Sequence, residues 1–84
     1  MKILIIGAAG MIGQKLIVKL LSLKSLNGKK IKELILFDVI KSPKIEDSHI
    51  KIKIKSGDLS NLLVSKKLIK DKPDLIFHLA AIVS

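Results

Sequence analysis

Short, densely apolar runs alternate along this chain with segments whose apolar residues return every three or four positions. Lys2 to Ile6 is a continuous run ended by Gly7, the pattern of a strand buried on both faces of a parallel sheet. From Met11 to about Ser25, Ile12, Leu16, Leu20 and Leu23 recur at helical spacing, with Ile17 and Leu21 beside them. Lys15, Lys19 and Lys24 fall elsewhere on that surface, so the segment reads as a helix with one core-facing side. Asn27-Gly28 is a helix-stop and turn signal, after which lysines resume the chain in solvent. Leu34 to Phe37 is a second buried run, terminated by Asp38, and Ser42-Pro43 opens a polar loop reaching about Ser48.

Ile50, Ile52 and Ile54 then alternate strictly with Lys51, Lys53 and Lys55. A two-residue period puts isoleucine on one face and ammonium groups on the other, a pattern suited to a sheet edge, where lysine also discourages pairing with other chains. Ser60 reads as the N-cap of a helix from about Asn61 to Asp71, with Leu63, Leu68 and Ile69 as core candidates and Pro73 just past its end. Leu75 to Leu79 is a fourth strand, running into Ala80 and Ala81. Right-handed crossovers through this order of elements give an α/β fold whose parallel four-stranded sheet has the spatial order third, second, first, fourth. That is the first half of a doubly wound fold plus one strand. The fourth strand has the composition of an interior strand, which predicts a sheet that is truncated here.

The segment Gly7-Ala8-Ala9-Gly10-Met11-Ile12-Gly13 lies between the first strand and the first helix. A pyrophosphate approaching a helix N-terminus needs backbone N–H groups free of obstructing Cβ atoms, and a third glycine lets helix and strand pack closely. Gly7, Gly10, Met11, Ile12 and Gly13 are therefore candidate dinucleotide contacts. Asp38 ends the second strand, somewhat beyond the usual interval of about 20 residues after such a motif. A carboxylate there accepts hydrogen bonds from ribose hydroxyls and repels a 2′-phosphate, which favours NAD over NADP, although Lys41 and Lys44 nearby soften that discrimination.

The glycine spacing, Asp38, the Gly57-Asp58-Leu59 segment and His78-Leu79-Ala80-Ala81 together resemble the extended short-chain dehydrogenase/reductase family, which includes nucleotide-sugar epimerases and dehydratases. The resemblance covers essentially the whole chain. It implies a Rossmann fold that binds NAD, with residues 1–84 forming part of the nucleotide-binding domain. It also implies that Asp58 and Leu59 hold the adenine ring, and that Leu79, Ala80 and Ala81 line the nicotinamide side. Ile6 stands where the family often has threonine, a difference that bears on local hydrogen bonding. Within the family, Asp38-Val39-Ile40 and the run from His78 to Ser84 are similar to sugar-acid dehydrogenases of the D-erythronate type, so a sugar acid or a nucleotide sugar is the implied substrate of a full-length form. The family's catalytic Tyr-x-x-x-Lys pair has no counterpart, since the sequence contains no tyrosine, and no catalytic residue is assigned. Without the family, Asp58 reads as a turn carboxylate, His78 as a packed strand-end histidine and His49 as a loop residue.

Composition changes this picture little. The 84 residues make one domain at most, and the absence of cysteine excludes a disulfide framework or a thiolate metal site. The apolar stretch after Lys2 superficially fits a signal peptide, but the glycines interrupt it and an amphipathic helix follows. No apolar run has the roughly 18 residues of a membrane span, so a cytoplasmic location is expected. The net charge of +9 raises nucleic acid as a partner. All 16 basic residues are lysine, aromatics are 2% of the chain, and the lysines are scattered among isoleucines, so a coding bias accounts for the charge as well as a selected surface does. Two rivals to an oxidoreductase segment remain: a nucleotide sensor without catalysis, and a small basic nucleic-acid binder.

Overall fold

The computed structural model describes residues 1–79. In chain order the elements are β1 (Lys2–Ile6), α1 (Met11–Leu23), β2 (Ser25–Leu26), β3 (Lys29–Lys30), β4 (Glu33–Asp38), β5 (Lys51–Ser56), α2 (Leu62–Lys70) and β6 (Leu75–His78). The four long strands form one sheet in the order β5-β4-β1-β6, all parallel, which is the expected order of third, second, first, fourth.

The continuous apolar runs follow from two covered faces. Ile3 and Ile5 of β1 lie with Leu34 and Leu36 of β4 under Ile17 and Leu20 of α1. Leu4 points the other way, into a smaller cluster with Ile35, Phe37 and Leu68 of α2. The largest side chains at the centre are essentially inaccessible, with Ile3, Ile5, Leu34, Ile35 and Leu36 at 0% exposure. Each such side chain contributes roughly 1.5–3 kcal/mol through burial. β5 is an edge strand among the described residues, and its alternation works as expected. Ile52 and Ile54 pack toward the α1 side, while Lys53 and Lys55 lie on the α2 side, paired with Glu33 at 3.2 Å and Asp71 at 2.8 Å.

Four expectations need correction. The buried stripe of α1 is Gly13, Ile17 and Leu20, whereas Ile12 is 69% exposed and Leu23 47% exposed. Gly13 sets this rotation, because only a residue without a side chain can meet the loop after β1, and the stripe follows from it at four- and three-residue steps. In α2 the buried residue is Leu68, with Val64 half-buried; Leu63 and Ile69 are exposed. The helix is capped by Asn61, whose side chain accepts from the Leu63 N–H at 2.9 Å, and not by Ser60, which is bound instead to Asp58. Finally, α1 ends at Lys24 in a left-handed conformation, and Asn27-Gly28 is the turn of a small antiparallel hairpin joining β2 and β3. Both turn residues have positive φ, 51° and 77°, the requirement of a tight two-residue hairpin turn that Asn-Gly meets well.

Among the described residues no helix is long and apolar enough to cross a membrane.

Candidate nucleotide-binding site

The glycine loop is fixed at both ends. Gly7 turns with φ of 91°, and its N–H and that of Ala8 both donate to the Phe37 carbonyl, at 2.9 and 3.1 Å. On the far side, the Gln14 side-chain amide donates to the Ala8 carbonyl at 2.7 Å. Gly13 sits so close to the turn that a Cβ there would lie 2.4 Å from the Gly7 oxygen and 2.8 Å from the Ala8 Cα. Gly10 is less confined, with an added Cβ 3.4 Å from the Gly7 oxygen.

The start of α1 has the chemistry of an anion cradle. Gly10 is its N-cap in extended conformation, no side chain caps it, and its first turn carries no acidic residue. The N–H groups of Met11, Ile12 and Gly13 have no hydrogen-bond partner among the described residues. They project at the positive end of the helix dipole, equivalent to roughly half a charge. The side chains of Met11 and Ile12 are exposed, while Gly13 is buried against the turn.

Asp38 stands beside this loop. Its Oδ2 accepts from the Ala9 N–H at 2.9 Å and its Oδ1 from the Val39 N–H at 2.7 Å. Each carboxylate oxygen still has acceptor capacity for a hydroxyl. The Gly57 N–H donates to the Asp38 carbonyl at 3.1 Å, which brings the loop after β5 alongside. In that loop Asp58 is exposed, and its Oδ1 accepts from both the hydroxyl and the N–H of Ser60, at 2.7 and 2.9 Å. The Ser60 hydroxyl, with the Ser60 N–H adding to it, holds the Asp58 carboxyl below the ordinary range, so it is ionised at neutral pH. Leu59 is half-buried and packs on the cluster of Leu4, Ile35, Phe37 and Leu68.

At the fourth strand, the Leu79 N–H donates to the Ile6 carbonyl at 2.7 Å, and the Leu79 side chain is half-buried against the α1-side core. Ala80 and Ala81 lie outside the described residues. His78 pairs with Ile6 in the sheet and is exposed, not packed, because no described element covers its side of β6. Gly7, Gly10, Met11, Ile12, Gly13, Asp38, Asp58 and Leu59 thus gather at the carboxyl ends of β1, β4 and β5, where ligands of open parallel sheets bind. The sequence did not reveal the roles of Ala9 and Gln14. Ala9 acts through its backbone N–H, which no residue pattern marks, and Gln14 is one polar residue among several on a helix.

Comparison with known proteins agrees with this arrangement. The family model described as NAD dependent epimerase/dehydratase family matches residues 3–84. D-erythronate dehydrogenase of Cupriavidus necator is 38% identical over all of this chain and 26% of its own length. The enzyme of the same name from Haemophilus influenzae is also 38% identical, over 25% of its length. Among solved structures, a nucleoside-diphosphate-sugar epimerase from Agrobacterium tumefaciens matches the whole chain at 43% identity and a TM-score of 0.92, over 25% of that protein. An epimerase from Methanothermobacter thermautotrophicus matches 95% of the chain at 30% identity and a TM-score of 0.67. The chain therefore spans about a quarter of the length of the relatives it matches. With the family match running through nearly all of the sequence, and the sheet order and glycine turn in place, this chain belongs to the NAD-dependent epimerase/dehydratase family.

Proposed function

We propose that the chain is the NAD-binding segment of an epimerase/dehydratase-type oxidoreductase and is inactive by itself. The observation that carries this reading is the conjunction of the N–H groups of Met11, Ile12 and Gly13, without a partner among the described residues, with a carboxylate, Asp38, fastened to the same loop. The N–H groups suit the pyrophosphate of a dinucleotide, and Asp38 suits the hydroxyls of its adenosine ribose. A 2′-phosphate would be set against the Asp38 carboxylate, which supports NAD over NADP. Asp58 would accept from the adenine amine beside Leu59, and Leu79, Ala80 and Ala81 would line the nicotinamide side. When bound, NAD supplies a hydride acceptor for oxidation of a carbinol carbon. The residues of this chain orient and hold it; they offer no tyrosine to take the hydroxyl proton.

A sugar acid or a nucleotide sugar is the substrate class in a full-length form. Support for both comes from the relatives, which include D-erythronate dehydrogenases and a nucleoside-diphosphate-sugar epimerase. A cytoplasmic location belongs to the same reading. Titration of the chain with NAD, followed through backbone amide resonances, tests the binding. The expected result is weak binding with shifts concentrated at Met11, Ile12, Gly13 and Val39. Shifts absent from these amides at saturating NAD would overturn the assignment.

A further inference from the structure

We propose a second anion-binding site, for a small polyanion of the pyrophosphate class, at the end of the sheet opposite the glycine loop. A hollow of about 280 Å³ there is lined by Lys24, Lys30, Ile31, Lys32, His49 and Ile50. Lys24 closes α1, Lys30 ends the hairpin, Lys32 leads into β4, and His49 and Ile50 lead into β5. The amino ends of two parallel strands and the end of α1 thus bring three lysines and a histidine around a floor made by the buried Ile31 and Ile50.

The backbone around this hollow is preorganised. The Lys24 carbonyl accepts from the Ile31 N–H at 3.0 Å, and the Lys32 carbonyl from the Lys51 N–H at 3.0 Å. The N-terminal ammonium donates to the Lys30 carbonyl at 2.8 Å, bringing a further positive charge to that strand. Asp47 fixes the remaining wall, with Oδ2 accepting from the N–H groups of His49 and Ile50 at 3.0 and 2.9 Å. Asp47 also pairs with Lys24 at 3.3 Å, and the negative end of α1 lies on the same side. One carboxylate and about half a charge from the helix end stand against three lysines, so the lining residues keep a net positive formal charge. Ammonium groups favour phosphate-type anions as point charges, and the limited volume favours a small polyanion over a polymer.

Titration of the 84-residue chain with inorganic pyrophosphate at fixed ionic strength tests this, read through amide shifts and affinity. Shifts are expected at Ile31, His49 and Ile50. The double variant Lys30→Glu/Lys32→Glu should weaken affinity at those amides at least tenfold, while Lys15→Glu/Lys19→Glu, the same charge change on the outer surface of α1, should leave it unchanged. Shifts confined to Met11, Ile12 and Gly13 would overturn the proposal, since pyrophosphate would then be using only the glycine loop. Equal weakening by the two double variants would also overturn it, as general charge attraction. So would a duplex DNA that, at equal phosphate concentration, occupies the same amides more tightly than pyrophosphate.

Discussion

Asp38, at the end of β4, accepts a hydrogen bond from the Ala9 N–H at 2.9 Å, so the carboxylate proposed to select the cofactor and the loop proposed to hold its phosphates move as one body. Asn at position 38 can offer only one acceptor oxygen. Its amide would face either Ala9 or Val39, both of which donate to Asp38, and a poorly satisfied donor costs about 1–3 kcal/mol. Asp38→Asn is therefore expected to lower stability and also to narrow the preference for NAD over NADP, because repulsion toward a 2′-phosphate disappears. Dissociation constants for both dinucleotides check this, and tighter binding of NADP by the unaltered chain would refute the cofactor choice.

The two later glycines should separate by experiment. Gly13→Ala would place a methyl group 2.4 Å from one backbone oxygen and 2.7 Å from another, neither of which can move without shifting β1 or the turn. A loss of roughly 1–3 kcal/mol or more is expected in chemical denaturation. Gly10→Ala meets only a 3.4 Å contact at φ of −74°, so stability should change little. Any weakening of dinucleotide affinity by Gly10→Ala would then report on the ligand itself.

In α2, the exposure of Leu63 and Ile69 predicts that Leu63→Gln and Ile69→Gln each change stability within about 0.5 kcal/mol. Leu68→Ala, by contrast, should cost roughly 2–5 kcal/mol, since Leu68 is 3% exposed between Leu4, Ile35 and Phe37. Comparable losses at positions 63 and 68 would contradict the orientation of the helix.

Acid should weaken the contact between β5 and the end of α2. The Lys55 ammonium, hydrogen-bonded at 2.8 Å, holds the Asp71 carboxyl below its ordinary value against an opposing cost of burial, with lesser help from Lys53 and Lys2. A carboxyl lowered in the folded state stabilises it above the unfolded value of about 3.9, and the benefit is lost as pH falls through the folded value. Partly exposed pairs of this kind contribute about 0–1 kcal/mol. Lys55→Gln should accordingly lower Tm at pH 7 and converge with the unaltered chain as the pH drops well below about 4. A difference that persists undiminished in acid would assign the effect to the packing of the lysine stem.

The chain by itself is expected to give no reduction of NAD with D-erythronate and no interconversion of UDP-sugars, because it carries no tyrosine to exchange the hydroxyl proton. Reproducible turnover that disappears in Gly10→Val would show that these 84 residues are a sufficient catalyst.

The sheet was legible because its strands are extreme in composition. Ile3 to Ile5 and Leu34 to Leu36 are buried on both faces, and so short a continuous apolar run suits little except a strand covered on both sides. The glycine loop and Asp38 were legible because strand, turn and helix each impose their own residue types. The helices were harder. A Lys/Ile/Leu-rich helix such as α2 carries apolar residues on several sides, so Leu63 and Ile69 resemble core positions as closely as Leu68 does. Ser60 does not cap α2 because its hydroxyl and N–H both donate to Asp58, which leaves the cap to Asn61. The hairpin at Asn27-Gly28 leaves no trace in the hydrophobic pattern because two-residue strands are too short to show alternation.

The central position of β1 has a kinetic side. β1 comes first in sequence of the four main strands, yet its neighbours in the sheet are β4 and β6, and the Lys2 N–H is tied to the Asp74 carboxylate 72 residues away. A ribosome adding about 5–20 residues per second leaves that apolar strand without its second partner for several seconds. Parallel pairings between distant segments also form slowly, because closing the loop precedes the reward. The nascent chain therefore exposes Ile3, Leu4 and Ile5 longest of all, and their sheet edge is the surface on which a chaperone or an aggregate has the most time to act.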